Sequence, residues 1–162
     1  MSIIVNSTPL ISLAIIQQVG LLQKIFGDVI LPRAVYNEVI VDGKGKSGYT
    51  HLSNISWFHI ADTINLDLKH SIMIQLDEGE AEVISVAKDK NISLVCIDEF
   101  AGRQYASLLG LDVIGTLGVL LIAKRQGYIP ALKPLCDKLI SSGRYISRVL
   151  YNEVLKKAGE QH

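Results

Sequence analysis

Short apolar runs alternate with longer segments of helical periodicity along this chain. The runs IIV (3–5), VIL (29–31) and ISLVCI (92–97) predict buried strands, and SWFHIA (56–61) and LDVI (111–114) predict two further short strands. Continuous apolar strands that alternate with helices are typical of a parallel sheet covered on both faces. We therefore expect a three-layer α/β/α sandwich with a mainly parallel central sheet.

Helices are predicted where a capping residue precedes apolar residues spaced three and four apart. Ser7 or Thr8 is a cap for a first helix that carries LISLAII, and Pro32 is a suitable first residue for a helix over 32–41. Further helices are predicted at 21–26, 77–88, 100–109, 116–125, 130–141 and 147–157.

We expect a single domain over residues 1–162. The Gly-, Ser- and Lys-rich segment 42–54 predicts a flexible loop. The C-terminal part, 130–157, is expected to be helical. The chain has 162 residues, which is the usual length of one domain and too short for two full cores.

Charge and cysteine content narrow the function classes. Sixteen Lys and Arg balance sixteen Asp and Glu, which excludes a strongly basic protein that coats nucleic acid but leaves room for a local basic patch. Cys96 and Cys136 belong to no C-x-x-C pair, so a structural zinc site is not expected and a disulfide scaffold is excluded. A reducing cytoplasm fits this content.

Neither the apolar stretch at the start of the chain nor the apolar run 113–123 predicts membrane insertion. No Lys or Arg precedes the first apolar stretch, and residues 6–9 interrupt it, which argues against a signal peptide. The longest later apolar run, 113–123, is shorter than the roughly 18–20 residues that span a bilayer. We therefore expect a cytoplasmic protein without membrane contact.

Polar residues at strand ends are the first candidates for chemistry. Asn6 follows the first strand, and Asp98 follows the strand 92–97 with Glu99 beside it. In parallel sheets, ligands bind in the crevice beyond the carboxyl ends of the strands. Alternatively, Asp98 only caps the next helix, because Asp is a preferred N-cap residue.

Two glutamates, Glu38 and Glu80, interrupt apolar stripes of predicted helices. A carboxylate on an apolar stripe is costly unless its charge is compensated, which a metal ion would do. Alternatively, each lies at the edge of its stripe and reaches water. The apolar neighbours are Ala34, Val35 and Val41 for Glu38, and Val83, Ile84 and Ala87 for Glu80.

Other acidic residues of the 77–88 helix lie on a different stripe. Glu78 shares its helix face with Glu82, Ser85 and Asp89. This polar stripe is expected to be solvated.

Glu38, Glu80 and Asp98 together offer an all-oxygen ligand set. Oxygen ligands without His or Cys nearby in sequence favour Mg²⁺ or Mn²⁺ over zinc. An acidic crevice of this kind suits metal-assisted phosphodiester hydrolysis. The segment DGKGKSG (42–48) contains GKS, but it lacks the first glycine of a P-loop and follows a helix.

Four stretches of the sequence carry a resemblance to a known family. They are IIVNSTPLISLA, VILPRAVYNEVI, LDEGEAEVISVAKDKNISLVCIDEFAGRQYASLLGLDVIGTLGVLLIAK and SRVLYNEVLKKAGE, which together cover nearly the whole chain except residues near 42–70. These stretches resemble the PIN-domain family of metal-dependent ribonucleases, in particular a bacterial and archaeal subgroup labelled as a domain of unknown function.

The resemblance implies a site in which about four acidic residues hold Mg²⁺ or Mn²⁺ and cleave single-stranded RNA. The matching positions are Asn6, Glu38, Glu80 and Asp98, with Thr8 as the hydroxyl residue that follows the first. Glu82 and Glu99 are the nearest substitutes if the register shifts. Asn6 replaces the usual Asp; its amide oxygen can coordinate a cation but brings no charge, so we expect weaker metal binding.

The function implied is a Mg²⁺- or Mn²⁺-dependent endoribonuclease that acts on single-stranded or structured RNA. The resemblance also implies the toxin of a toxin–antitoxin pair, blocked by a small antitoxin protein, and a homodimer. The alternative is a catalytically weak or inactive module that binds nucleic acid or protein, because Asn6 lacks a charge. An unrelated receiver-like domain would need a Lys near the end of a late strand, and none is placed there.

Overall fold

The computed structural model describes residues 1–160 and contains a five-stranded sheet. The strands are β1 (Ser2–Val5), β2 (Asp28–Pro32), β3 (Phe58–Ala61), β4 (Leu94–Cys96) and β5 (Asp112–Ile114). Their order is β3-β2-β1-β4-β5, and every neighbouring pair is parallel. The five predicted strands and the parallel sheet are confirmed.

Helices cover both faces of this sheet. The helix Glu78–Lys90 packs over β1, β2 and β4 with the helices Arg33–Tyr36 and Leu66–Ile72 beside it. The helix Thr116–Arg125 packs against the helices Ser7–Ile15 and Gly20–Phe26. The predicted three-layer α/β/α architecture is therefore confirmed. The helices are α1 (Ser7–Ile15), α2 (Gly20–Phe26), α3 (Arg33–Tyr36), α4 (Tyr49–Leu52), α5 (Leu66–Ile72), α6 (Glu78–Lys90), α7 (Phe100–Leu108), α8 (Thr116–Arg125), α9 (Lys133–Ser141) and α10 (Arg148–Lys157), with a π-helical turn at Asn37–Val41.

The central strand explains why the strand pattern was readable. Ile3, Ile4 and Val5 of β1 are all fully buried, because helices cover the strand on both sides. A strand of this kind has no solvated face and therefore no polar alternation. Its sequence is a continuous β-branched run.

Three segments of the structure differ from the prediction. The helix predicted over 32–41 is a short α-helix followed by the π-helical turn, and Pro32 belongs to the end of β2 instead of the helix. The predicted loop 42–54 contains α4, whose Leu52 is 1% exposed because α4 packs on α1. Helix α5 was not predicted.

The strand order creates a crevice at the carboxyl ends of β1 and β4. From β1 the chain builds outward to β2 and β3, then crosses back and builds β4 and β5 on the other side. The sheet therefore has its topological switch point between β1 and β4, where ligands bind in open α/β sheets. The residues that follow these two strands lie at the same edge.

No single helix between residues 1 and 160 is both long and apolar enough to cross a membrane. Helices α1 and α2 reach the required length and composition only as a pair, and they are bent by 114° at their junction.

Candidate active site

Asn6 lies at the switch point, directly after β1. Its backbone N–H donates to the carbonyl oxygen of Cys96 at 3.0 Å, which ties it to the end of β4. The residue is buried. It precedes α1, but its side chain makes no capping hydrogen bond to that helix. The side-chain amide is therefore not used by the helix and is available to the crevice.

Gly79 allows the first turn of α6 to approach Asn6 closely. A Cβ atom at this glycine would lie 3.3 Å from Oδ1 of Asn6, 3.6 Å from Oδ1 of Asp77 and 3.8 Å from Oε2 of Glu38. Three side-chain oxygens from three separate segments thus converge around one position that lacks a side chain. The structure therefore brings Asn6 and Glu38 together around Gly79.

Three carboxylates form a tight cluster next to this position. One carboxylate oxygen from each of Asp77, Glu80 and Glu99 lies within 4.8 Å of the other two. Glu80 is 5% exposed, whereas Asp77 and Glu99 are exposed. Asp77 is the N-cap of α6, since its Oδ1 accepts a hydrogen bond from the backbone N–H of Glu80 at 2.8 Å.

The proximity of these groups changes their protonation. Burial, a hydrogen bond with Glu99 and the charge of Asp77 raise the pKa of Glu80 to about 8. The pKa of Glu99 is lowered, because its carboxylate accepts hydrogen bonds from Glu80 and Thr8. At neutral pH the metal-free protein therefore holds a proton on Glu80 and a charge on Glu99.

Two hydroxyl groups at the start of α1 orient carboxylates of the crevice. Oγ of Ser7 donates to Oε2 of Glu38 at 2.7 Å. Oγ1 of Thr8 donates to Oε1 of Glu99 at 2.9 Å. The segment after β1 thus holds an acidic side chain from each flank of the crevice.

Glu38 does not interrupt an apolar stripe, contrary to the prediction. It lies in the π-helical turn and is exposed, and Val41, its presumed apolar neighbour, is 59% exposed. The π-helical turn changes the angular spacing of side chains, so the i+3 and i−4 neighbours of a regular α-helix no longer apply. Glu80, in contrast, is buried beside Val83 and Ile84 as predicted.

Asp98 lies at the crevice edge but outside the carboxylate cluster. Its Oδ1 accepts a hydrogen bond from the backbone N–H of Thr116 at 2.7 Å, and its Oδ2 accepts one from the Thr116 hydroxyl at 2.6 Å. Thr116 begins α8, so Asp98 holds a helix distant in sequence. It does not cap α7, whose N-cap is Glu99. Each carboxylate oxygen has a further lone pair, so a ligand role for Asp98 stays a prediction.

Glu82 is a structural residue on another side of α6. Its Oε1 accepts from the backbone N–H of Ala34 at 2.8 Å, and its Oε2 accepts from Nζ of Lys69 at 2.7 Å. The stripe of Glu78, Glu82 and Ser85 was expected to be solvated, but Glu82 and Ser85 are buried. This expectation was wrong because α3 and α5 cover that side of α6.

Asp77 and Gly79 were not predicted as members of the site. Both were visible in the motif LDEGE, in which an aspartate stands three residues before Glu80 and a glycine directly precedes it. An N-cap aspartate presents its carboxylate to the first turn of a helix, which here is the turn that carries Glu80. The capping pattern was therefore the available signal.

The comparison with known families gives one match. A family model described as a PIN domain (DUF3368) matches residues 2–160, which is nearly the whole chain. No curated protein and no solved structure gave a significant match.

Proposed function

Because the chain belongs to the PIN-domain family, whose fold is of a nuclease type, we propose that it is a metal-dependent endoribonuclease. The observation that supports this most is the cluster of Asp77, Glu80 and Glu99 beside Asn6 at the switch point of the sheet. Acidic oxygens gathered at this edge suit hydrolysis of a phosphodiester with the help of a divalent cation.

The donor set fits Mg²⁺ or Mn²⁺. Every candidate ligand supplies oxygen, and hard divalent cations prefer oxygen. Burial first, and then the neighbouring carboxylates, raise the pKa of Glu80, and a cation bound beside it would offset both effects. The residues that would hold the ion are Asp77, Glu80 and Glu99, with Asn6 and Glu38 beside them.

A bound divalent cation would supply an activated water molecule and stabilise negative charge that develops on the phosphate. The chain itself positions the groups around the phosphate. Thr8 holds Glu99 and Ser7 holds Glu38 in place through their hydroxyls. Attack of water on phosphorus with departure of the 3′ oxygen leaves 5′-phosphate and 3′-hydroxyl ends.

The proton on Glu80 is linked to cation binding. A carboxylate must lose its proton to act as a ligand, so cation affinity rises with pH until the pKa of about 8 is passed. Thr8 still donates to Glu99 after this proton leaves, which keeps that side chain in place.

The test is cleavage of a mixed single-stranded RNA pool with Mn²⁺, with Mg²⁺ and with EDTA. We expect cleavage with either metal and none with EDTA. The Glu80→Gln and Glu99→Gln variants should lose it. Asp112→Asn is the matched control, because Asp112 is exposed at the amino end of β5, whereas the cluster lies at the carboxyl ends of the strands. No cleavage by folded protein, or equal loss in the control, contradicts the proposal.

A second candidate function is a binding module that keeps the fold but not the turnover. It is favoured by Asn6, which places a neutral amide where the family pattern has a charged carboxylate. The Asn6→Asp variant separates the two functions. Metal-dependent cleavage that appears only in this variant would favour the binding module.

The toxin role also belongs to the proposal, with a small antitoxin protein that covers the crevice. It is supported by the resemblance to toxins of this family. Induced expression should arrest growth, and Glu80→Gln should not. Normal growth with active, folded protein would contradict this role.

The same resemblance implies a homodimer. The mass of the purified protein in solution checks this, and a monomer mass would contradict it.

A further inference from the structure

Two adjoining cavities lie beside the carboxylate cluster. The first, of about 340 Å³, is lined by residues of β5, α7, α8 and α10 and is open to solvent. The second, of about 290 Å³, lies between α1, α8 and residues 143–146. Asp98, Thr116, Leu117 and Leu150 line both, so the two cavities form one continuous depression, which we call the α8–α10 groove. Of the residues that line this groove, the function proposed above gives a role only to Thr8.

The groove combines apolar walls with cationic groups. Arg103 and Lys157 line the first cavity, and Arg144 lines the second. Tyr145, beside Arg144, is 90% exposed. An aromatic ring that is fully exposed next to a cavity is an available stacking surface. The apolar walls of the first cavity are formed by Val113, Ile114, Leu117, Leu121, Leu150 and Val154.

The groove approaches the carboxylate cluster through Thr8 and Asp98. Thr8 lines the second cavity, and its hydroxyl donates to Oε1 of Glu99 in the cluster. Asp98 lines both cavities and lies directly before Glu99 in the chain. A chain-like ligand that lies in the groove therefore extends to the cluster.

We propose that the α8–α10 groove binds single-stranded RNA adjacent to the scissile phosphate, with one base in the first cavity and a neighbouring base stacked on Tyr145. This inference rests on the proposed function, because it assigns the substrate strand its path to that site. Stacking on aromatic rings together with cations along the backbone is the usual way in which proteins hold single strands. Arg144 and Lys157 are the groups that contact phosphates.

The carboxylates of the groove are compatible with this orientation. Asp98 is hydrogen-bonded to Thr116, so its charge is partly neutralised by donors. Glu153 lines the first cavity, where it repels phosphate but accepts hydrogen bonds from the exocyclic amino group of a base. Bases therefore point into the cavity, and phosphates lie near the cations.

The test measures binding of a short, fluorescein-labelled single-stranded RNA by fluorescence anisotropy in EDTA, where no metal-dependent cleavage occurs. We expect Tyr145→Ala to weaken binding roughly 5- to 100-fold, and Tyr145→Phe to retain most of the affinity because the ring can still stack. Leu150→Trp should block the cavities, whereas Val149→Trp, at the neighbouring exposed position, should not.

The cationic residues are tested by the dependence of affinity on salt. Arg144→Gln and Lys157→Gln should each reduce the slope of log K against log salt by about one. Lys156→Gln is the matched control, because Lys156 is exposed on the same helix but does not line the groove. A purely structural role of Lys157 would not change this slope.

The outcomes separate this inference from the proposed function. The proposal that the α8–α10 groove binds RNA is contradicted if the folded wild-type protein does not bind the RNA. It is also contradicted if the groove variants bind the RNA as tightly as the wild type does. If such variants also cleave RNA normally, the nuclease proposal stands without it. Groove-dependent RNA binding in a protein that never cleaves supports the groove and contradicts the nuclease.

Discussion

Glu80 places a carboxyl group where 5% of the residue is exposed and two further carboxylates are within 4.8 Å. In water this group would lose its proton near pH 4.5, and here it keeps the proton until about pH 8. Burial disfavours the charged form, and Asp77 and Glu99 add like charges. The site therefore stores an unfavourable ionisation that a cation offsets.

We expect Glu80→Gln to stabilise the metal-free protein above pH 8 and to change its stability little near pH 4.5. Between the unfolded pKa of 4.5 and the folded pKa of about 8, the folded state binds more protons, so the free energy of unfolding falls as pH rises. Glutamine removes this fall and still offers Glu99 a donor. Thermal unfolding in EDTA across this pH range checks the prediction, with Asp112→Asn as the control variant. If the melting temperatures of the two variants depend on pH in the same way, the prediction is wrong.

The Asn6→Asp variant is expected to bind Mn²⁺ at least roughly tenfold more tightly, because it adds a charge near the oxygens of Asp77 and Glu38. The same charge should lower the melting temperature of the metal-free protein. Calorimetric titration with Mn²⁺ measures the affinity. Asn152→Asp adds the same charge at an exposed position of α10 and is the control; equal affinities in the two variants would refute the role of Asn6.

At the scale of elements, a buried ion pair fixes α3 and α5 to α6. The Lys69 and Glu82 side chains are 12% and 7% exposed, and their charged atoms lie 2.7 Å apart. The same Glu82 carboxylate accepts a hydrogen bond from Ala34 in the first turn of α3. Since α3 leads into the turn that carries Glu38, this pair supports one flank of the crevice.

Lys69→Met should lower the free energy of unfolding by about 3–5 kcal/mol, because it leaves the Glu82 carboxylate buried without its partner. The double variant Lys69→Met/Glu82→Gln should cost less than the sum of the two single variants, since the only carboxylate that then lacks its lysine is Glu78, which is exposed. Urea denaturation measures these values. The exposed pair of Lys133 and Asp137 gives the control. Lys133→Met should cost about 0–1 kcal/mol. An equal cost for Lys69→Met and Lys133→Met would contradict the role that we assign to the buried pair.

At the scale of the whole molecule, the strand order decides where the polar residues meet. Asn6 and Glu99 are distant in sequence, yet β1 and β4 are neighbours, so the residues that follow both strands share one edge. Thr8 and Glu99, which are hydrogen-bonded, are 91 residues apart. A ligand at this edge therefore contacts segments from both halves of the chain and stabilises the fold as a unit.

Saturating Mn²⁺ should raise the melting temperature of the whole domain. A ligand at about 100 times its Kd adds about 2.7 kcal/mol to the free energy of unfolding, which at this chain length corresponds to roughly 5–10 °C. Glu80→Gln and Glu99→Gln should lose most of this shift, and Asp112→Asn should keep it. Calorimetry with and without Mn²⁺ checks the prediction, and a full shift in Glu80→Gln would exclude the cluster as the metal site.

The local pattern determined the elements and part of the site. The strands were readable because burial on both faces leaves an uninterrupted apolar run, as in Ile3, Ile4 and Val5. Glu80 was readable because α6 is a regular helix, in which the faces follow from spacing alone. Asn6 could be predicted as a site candidate because it directly follows a strand, and ligands of parallel sheets bind beyond the carboxyl ends of the strands.

Tertiary structure decided the rest, because the partners come from other elements. The spacing of α6 placed Glu82 on a polar stripe, but only the packing of α3 and α5 shows that this stripe is buried around Lys69. The sequence made Asp98 the candidate ligand and Glu99 only its substitute, whereas packing places Glu99 in the carboxylate cluster and Asp98 on Thr116. Sequence determined the fold class and the edge at which chemistry belongs, whereas packing between distant segments determined which carboxylates meet there.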